Sequence, residues 1–485
     1  MHRSLVAVLA GTFTLRFSTG LTGALLVYYL ADFPRHGGNA VDPLIVGMLS
    51  ATFFLAELLL SPPFGAISDR LGQHPVMQAG PGFGAVAVIL TGLTTSVPVL
   101  ALTRLLEGGS TAASVPSILG YVARATAHDD ALRGRAVARF ELATLAGLGA
   151  GLVAAGPLYE LVGRTAFFLN AVVYGLSWLI YRFGVEELEE GAGSATDEPA
   201  AAPDPRDPPA AIDGPAAGDA PAAADAPSGH GGAAPARAPM RRYVQVLGSS
   251  HVWLLAPTWI ALNASIGLWT SQSLFQLVQP TTRPVARHQM LMGGFTPTQV
   301  SIGLAVGMLV FFAGLLYWGG RFRTLRRTTI ILYGIAGGAI ATGSTFIVNH
   351  SGGQPVVITV LFTLAAGFGL FVLAGATPAA LGLLADVSEV HPQDRGVIMG
   401  LYSVFLALGQ VIGSLVGGES ARLLGIDGLL AATILLLGVA VVPLWRLRPY
   451  EHRIRGPGGG ARGGPHAGSG GRDGGGVALN LQSGA

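Results

Sequence analysis

The sequence contains neither cysteine nor lysine, and only 12% of its 485 residues are charged. Without cysteine the chain has no disulfide bonds and no thiolate metal ligands. Without lysine it has no Walker-type phosphate loop, whose signature includes Gly-Lys-Ser or Gly-Lys-Thr, and this excludes an ATP-driven pump of that kind. The formal net charge of +2 argues against a protein that binds nucleic acid.

The residues that the chain does use are those of a membrane protein. Hydrophobic residues make up 51% of the sequence and 71 residues are glycine, while the mean hydropathy is +0.54. A soluble globular chain carries about 25% charged residues, and glycine is commoner in transmembrane helices than in soluble ones. The 11 histidines show no metal-binding spacing, so we expect no enzyme, no metal and no cofactor.

Long apolar runs predict an all-α membrane protein. A spanning helix needs about 20 mostly apolar residues, and twelve stretches of the sequence meet that need. They lie at 5–30, 43–63, 77–94, 97–121, 136–156, 165–184, 250–278, 298–319, 328–348, 355–385, 396–417 and 427–446.

The twelve predicted spans divide into two six-helix bundles. The first bundle occupies residues 1–185 and the second residues 246–450. Between them, residues 186–245 are rich in Ala, Pro, Asp and Gly, and residues 451–485 form a Gly-rich tail. Neither segment can bury enough apolar surface to fold, so we predict that both are disordered.

Arginine predicts the orientation of the chain in the membrane. With the N-terminus inside, only five of the 29 basic residues fall in outer loops. These are Arg35, Arg164, Arg283, Arg287 and Arg422. The positive-inside rule therefore places both termini, the linker and the tail in the cytoplasm, and the protein in the plasma or inner membrane.

The two bundles are related by an internal repeat. Shifting the first half by 262 residues aligns a set of glycine, proline and arginine positions over about fifty residues. Pro116, Gly120, Arg133, Gly134, Gly147, Gly151, Gly156 and Gly163 then meet Pro378, Gly382, Arg395, Gly396, Gly409, Gly413, Gly418 and Gly425. Six predicted helices separate the partners, so the repeat is parallel and predicts two halves related by an axis along the membrane normal.

A short motif separates the second and third predicted spans. "GAISDRLGQHP" supplies Gly65, Asp69, Arg70 and Gly72 and resembles the loop signature Gly-x-x-x-Asp-Arg-x-Gly-Arg-Arg of the major facilitator superfamily. Gln73-His74 replaces the usual basic pair. Gly65 allows close helix packing, and Gly72 allows a tight turn. A plain surface turn is the alternative interpretation.

The resemblance covers nearly the whole chain and implies a gating role for this loop. It implies that Asp69 faces the start of the eleventh helix, near Arg395-Gly396, and holds the two halves together on the cytoplasmic side. A helix N-terminus attracts an anion, which agrees with that pairing. The matching loop of the second half, "GGRFRTLRRT", has Arg323 where Asp69 would stand.

Charged residues inside predicted spans mark candidate proton-coupling sites. Arg104-x-x-x-Gly in "RLLEGGSTAA" resembles a second family signature, which is frequent in proton-coupled members. Arg104 and Glu107 are helix neighbours, so a structural ion pair is the alternative. Glu57 and Glu141 are the other carboxylates in or near the first-half spans. Glu141 is near the cytoplasmic end of its span, and the alternative is that it belongs to a cytoplasmic charge cluster with Arg70 and Arg135. Intramembrane charges are costly and by default mark functional sites.

Arg16 and the seventh helix are candidates for a substrate cavity. Arg16 lies in the middle of the first span and should face a central cavity, where it binds substrate or pairs with a carboxylate. Asn263, Trp269 and Gln272 make the seventh span the most polar of the second half. A few polar groups in an apolar cleft suit an amphiphilic ligand, although such groups also join helices.

Glycines in the fifth and eleventh helices predict close packing. Gly156-Pro157 resembles the start of the family's antiporter signature, but Glu160-Leu161 stands where that signature has Gly-Gly. The stripe of Gly409, Gly413 and Gly417 has the spacing at which small residues let two helices approach. The same packing role explains Gly156 without any antiport function.

The resemblance implies a secondary active transporter that works by alternating access. We expect proton-coupled efflux of amphiphilic compounds by a monomer in the lipid bilayer, with a small molecule and H⁺ as its partners. The first alternative is a uniporter or importer of an organic anion or other small metabolite. The second is a membrane sensor or interaction protein that has kept the fold and does not transport.

Overall fold

The structure is a computed structural model that describes residues 2–127, 129–187, 250–279, 288–322, 324–390 and 395–455. For 2, 130–131, 250–254, 384–390, 395–402 and 450–455 it describes the backbone alone. The predicted disorder of the linker and the tail falls almost entirely outside these ranges. One difference is visible at the tail boundary, since the last helix continues to Arg455.

All regular elements in these ranges are helices. The first half contains α1 (His2–Ala31), α2 (Pro43–Leu71), α3 (Gln73–Leu93), α4 (Val97–Ala125), α5 (Asp130–Val162) and α6 (Ala166–Gly184). The second half contains α7 (Ser250–Val278), α8 (Pro297–Arg321), α9 (Arg327–Asn349), α10 (Val356–Leu373), α11 (Ala376–Val390), α12 (Arg395–Leu424) and α13 (Ile426–Arg455). This agrees with the predicted all-α class.

Many of these helices have the length and composition of membrane spans. Within the described ranges, nine stretches are long and apolar enough to cross a bilayer, and one of them, Leu132–Gly184, contains both α5 and α6. The total of twelve spans stays a prediction. There are two large apolar cores. The first is built around Tyr28, Tyr29 and Phe167 of the first half and extends to Phe275 and Val300 of the second. The other is built around Ile330, Ile331 and Leu383.

The motif between α2 and α3 is a turn of one residue. Helix α2 continues to Leu71, and α3 starts at Gln73. Gly72 between them has φ 89°, a backbone conformation that glycine adopts without strain. Asp69 is exposed at the end of α2. Its expected contact with the start of α12 involves side chains outside the described set, so that contact stays a prediction.

Gln73 and His74 have structural partners within the first half. The Arg124 guanidinium of α4 donates to Gln73 Oε1 at 2.8 Å. The His74 Nε2 atom lies 3.0 Å from the Tyr181 carbonyl oxygen at the end of α6. These two residues therefore join the start of α3 to α4 and α6, in the place where the family signature has two basic residues.

The predicted tenth span is divided. Helix α10 ends at Leu373 and α11 begins at Ala376, although the sequence predicts one helix over 355–385. Pro378 has no N–H to donate to the carbonyl four residues earlier, which interrupts a helix. The Trp318 indole N–H donates to the Phe371 carbonyl at 3.2 Å, and its ring lies beside Gly375.

The two halves have the same internal packing. In the first half, Gly147 and Gly151 of α5 lie against the backbone of α1. In the second half, Gly409 and Gly413 of α12 lie in the same way against α7. These pairs are the ones that the sequence repeat aligns. A side chain at any of the four would collide with the neighbouring helix, because small residues are what allow such close contact.

Two close helix contacts join the halves. The start of α2 lies against the end of α12, and the start of α8 lies against the end of α5. A Cβ atom on Gly156 of α5 would meet Pro297, and one on Gly418 of α12 would meet Pro43. The Gly156 N–H also donates to Ser301 Oγ at 3.1 Å. The two contacts are repeat-related, so the halves meet symmetrically at this end of the molecule, which is called the closed end below.

Candidate functional site

Three charged side chains of the first half form a cluster near the middle of their helices. Arg16 is at the midpoint of α1, Glu57 is at the midpoint of α2, and Glu141 lies five residues before the midpoint of α5. The Arg16 guanidinium is close enough to act electrostatically on both carboxyl groups. Arg16 and Glu57 are half-buried and Glu141 is exposed. We call these three residues the central cluster.

The position of Arg16 follows from helix packing. Its Cβ atom lies beside Gly147 of α5, where a glycine leaves room for α1 to approach. In the second half the equivalent glycine, Gly409, lies beside the Cβ atom of Asn263. The internal repeat therefore places an arginine in one half and an amide in the other, and the charge of the central cluster belongs to the first half alone.

Arg104 and Glu107 form a separate ion pair inside the first half. The Arg104 guanidinium donates to Glu107 Oε2, and the side chains are only 7% and 2% exposed. The guanidinium also lies 4.9 Å from the centre of the Phe53 ring, which adds a cation–π contact. The other Glu107 oxygen has no hydrogen-bond partner among the described residues.

Sequence reasoning missed the polar residues of α6. Asn170 Nδ2 donates to Thr22 Oγ1 at 2.7 Å and to the Ser18 carbonyl at 3.0 Å. Tyr174, one turn further, is close enough to Glu107 for the two groups to interact electrostatically. The signal was present, because Asn170, Tyr174, Ser177 and Tyr181 recur at helical spacing in an otherwise apolar helix, and all four are buried.

The predicted cavity residues of α7 have different surroundings. Asn263 Nδ2 donates to the Trp259 carbonyl of its own helix at 2.9 Å. Trp269 Nε1 donates to Thr433 Oγ1 of α13 at 2.9 Å. Gln272 Nε2 reaches the other half and donates to the Pro43 carbonyl at 2.9 Å. These three side chains are thus held by separate hydrogen bonds, and their place in a substrate cavity stays a prediction.

Glu160, which stands where the antiporter signature has a glycine, forms hydrogen bonds to the second half. The Glu160 carboxylate accepts hydrogen bonds from the Thr298 N–H at 2.9 Å and from Thr298 Oγ1 at 2.6 Å. Thr298 belongs to the first turn of α8, where backbone N–H groups lack partners within the helix. Glu160 of the first half thus caps a helix of the second half at the closed end.

The charged groups of the central cluster can interact with a charged ligand. Both central carboxylates can attract a cation or take up a proton, and Arg16 offsets part of their charge. In the described part of the chain, no group of three or more His, Asp or Glu residues has the geometry of a metal site.

Comparison with known proteins identifies the family. The family model of the Major Facilitator Superfamily matches residues 8–377 and 290–469. Multidrug resistance protein 1 of Bacillus subtilis (strain 168) is 22% identical over 417 residues, which cover 83% of this chain and 87% of that protein. The class C tetracycline resistance protein of Escherichia coli is 30% identical over 193 residues, which cover 38% of this chain and 45% of the relative.

The similarity to solved structures agrees with this family. The crystal structure of the nucleoside transporter NupG superposes with a TM-score of 0.63 at 12% identity, covering 92% of this chain and 98% of NupG. Identity this low supports a common fold and carries no information on the substrate. The resemblance inferred from the sequence motifs is confirmed, and the chain belongs to the major facilitator superfamily of multi-pass membrane transporters.

Proposed function

We propose that the protein is a proton-coupled exporter of amphiphilic cations that works by alternating access. It acts as a monomer in the plasma membrane, with both termini in the cytoplasm. The observation that carries the proposal is the central cluster, in which one arginine faces two carboxylates near the middle of the first half. Ionisable residues at this depth are rare unless they serve a pathway.

The central cluster can exchange a cation for a proton. With Glu57 and Glu141 ionised and Arg16 charged, the cluster carries one net negative charge and attracts an organic cation. A proton on either carboxyl group removes that charge. The proton and the cation therefore weaken each other's binding, and such reciprocal coupling is what exchange across a membrane requires.

The closed end supports export. In the proposed orientation the starts of α2 and α8 lie on the outer side, so the closed end faces outward. Glu141 is exposed and lies in the half of α5 away from the closed end. An exporter takes up its substrate from the cytoplasmic side, which this arrangement supports. Two sequence relatives are also named for resistance to drugs, which agrees with removal of compounds from the cell.

Import of an organic anion, the alternative, would require Arg16 to act as a free cation. Arg16 lies within electrostatic range of the Glu57 and Glu141 carboxyl groups. With both ionised, the central cluster has a net negative charge and would repel an anion. The structure therefore supports the cation proposal better, and the experiment below separates the two.

The test is proton movement in proteoliposomes that contain the purified protein and an internal pH dye. Amphiphilic cations, organic anions and sugars are added in turn to the wild type, to Glu57→Gln, to Glu141→Gln and to Arg16→Gln. Glu419→Gln is the matched control, because that carboxylate is exposed and bonded to Arg422 of its own helix at 2.6 Å.

We expect proton movement with cations alone, a loss of at least about tenfold in the two central variants, and no change in the control. Movement of an anion that depends on Arg16 would establish the importer. Cation transport without any proton signal would establish a uniporter.

A further inference from the structure

One face of α4 presents three buried polar side chains in a row. Glu107, Ser110 and Ser114 follow each other at intervals of three and four residues, which places them on the same side of the helix. They are 2%, 2% and 0% exposed. A Cβ atom added to Gly80 of α3 would collide with the Ser114 hydroxyl, so this face looks into the first half and away from the second.

The row continues beyond Glu107 through α6 and α1. The Tyr174 hydroxyl lies within electrostatic range of Glu107 and also close to Thr22 of α1. Asn170 bonds to the same Thr22 at 2.7 Å and to the Ser18 carbonyl. We call this series of buried polar side chains the polar column. Its members are Ser18, Thr22, Asn170, Tyr174, Glu107, Ser110 and Ser114.

Five polar atoms of the polar column lack a hydrogen-bond partner among the described residues. They are Ser18 Oγ, Asn170 Oδ1, Glu107 Oε1, Ser110 Oγ and Ser114 Oγ. Buried polar atoms are nearly always hydrogen-bonded, to protein or to ordered water. A buried water typically satisfies two to four such groups. Unpartnered atoms that follow one another along the inside of a helix bundle therefore indicate a file of water molecules.

We propose that the polar column holds water and is the route by which Glu107 exchanges its proton, separate from the central cluster. The inference rests on the proposed proton coupling for its biological purpose. An O–H bond forms at Glu107 Oε1 as a protonated water of the column gives up its proton. Arg104 stays charged and bonded to Oε2, so the pair changes from neutral to a charge of +1.

Separation from the central cluster follows from burial. Glu107 is 2% exposed, whereas Glu57 is half-buried and Glu141 is exposed in the same conformation. Bulk water can therefore contact Glu141 in this conformation, whereas Glu107 is closed off from it.

The described groups around Glu107 come mainly from α2, α4 and α6. Arg104 faces it from its own helix and Tyr174 from α6. Helix α2 presents backbone to the neighbouring Gly108, at Phe53 and Glu57, and α3 contributes Thr91, bonded to Thr103 at 2.9 Å. In the described part of the first half, Arg104 is thus the charged group in contact with Glu107.

The first experiment measures water access to Glu107 directly. Infrared spectra of the reconstituted protein at acid pH contain the carbonyl stretch of the protonated Glu107 carboxyl, which is assigned by its loss in Glu107→Gln. Transfer to heavy water shifts that band, and the rate of the shift reports exchange. We expect exchange at least about tenfold slower in the Ser110→Ala/Ser114→Ala double variant, because an apolar cavity stays dry.

Ser117→Ala is the matched control. Ser117 is buried on the same helix, but its hydroxyl donates to the Ala113 carbonyl at 2.8 Å, so its removal should leave exchange unchanged. Equal exchange rates in the double variant and the wild type would overturn the proposal. If the double variant does not fold, Ser110→Ala and Ser114→Ala are measured singly. Exchange of the Glu107 proton at the wild-type rate in both single variants would also overturn the proposal.

The second experiment separates this proposal from the proposed function. Proton movement on addition of a cation is compared with cation counterflow, which needs no net proton movement. We expect the double variant to keep both counterflow and cation-driven proton movement at the wild-type level, because Glu57 and Glu141 of the central cluster carry the proposed coupling. A loss of cation-driven proton movement in the double variant would refute a column that is separate from the central cluster. A wild type that moves no protons on addition of a cation refutes the proposed coupling, and heavy-water exchange still tests the column.

Discussion

The carboxylate of Glu160 in the first half caps the first turn of α8 in the second half through two hydrogen bonds from Thr298. The contact lies at the closed end, beside the close approach of Gly156 to Pro297. It exists only while the halves meet there, because the two residues belong to different bundles. Glu160 therefore stabilises the conformation that is closed on this side.

Glu160→Gln should shift the protein toward the conformation in which the halves separate at the closed end. The loss of a charged acceptor at an exposed position costs about 1 kcal/mol, which changes the ratio of the two conformations about fivefold. The chain has no cysteine, so spin labels can be attached at Thr95→Cys and Gly352→Cys, in exposed loops of the two halves. Pulsed electron resonance should then show a larger fraction of long distances.

Asp32→Asn is the control for this measurement. Asp32 lies at the same end but pairs with Arg35 and His36 of its own half, so the distance distribution should not change. A shift in Asp32→Asn equal to that in Glu160→Gln would mean that the cross-half contact is not the cause.

Arg16→Gln should strengthen the binding of an organic cation. Removal of the guanidinium leaves Glu57 and Glu141 with their full negative field, and a unit charge at this range in a partly hydrated site is worth about a tenfold change in affinity. Isothermal titration calorimetry of the wild type and the variant at the same pH measures this change in affinity. The control is Arg182→Gln, at the far end of α6 over the ring of Phe183. Weaker cation binding in Arg16→Gln would contradict the assignment.

Gly413→Val should destabilise the second half. A Cβ atom at this position would meet the backbone of Ala264 in α7, and overpacking of this kind costs about 1 to 3 kcal/mol. We expect a lower melting temperature and a smaller monodisperse fraction in detergent. Gly438→Ala, on a part of α13 with no atom close to the glycine, should melt at or above the wild-type temperature, because alanine favours a helix over glycine.

Several features were predictable from sequence because they depend on local chemistry. The all-α class follows from long apolar runs, the turn at Gly72 from a glycine between two such runs, and the Arg104–Glu107 pair from their helical spacing. The glycines of the repeat, such as Gly147 and Gly409, were recognisable because one offset aligns them.

The remaining features depend on the tertiary arrangement. The Glu160–Thr298 contact requires the start of α8 to lie beside the end of α5, and 138 residues separate the two in sequence. The polar stripe of Asn170 and Tyr174 has helical spacing but gains its meaning only from α1 and α4 beside it. Pro116 and Pro378 are aligned by the repeat, yet only Pro378 stands where the helix divides.

Pro378→Ala should therefore join α10 and α11 into one helix. Alanine restores the N–H that can bond the carbonyl of Ala374, and proline costs about 3 kcal/mol more than alanine inside a helix. Hydrogen exchange measured by mass spectrometry over 372–383 should slow by at least about tenfold. Pro116→Ala is the matched control, because α4 is already continuous around that proline, and exchange there should change far less. Equal slowing at both sites would show that Pro378 is not what divides the helix, and would assign the break to Gly375 and the Trp318 ring against it.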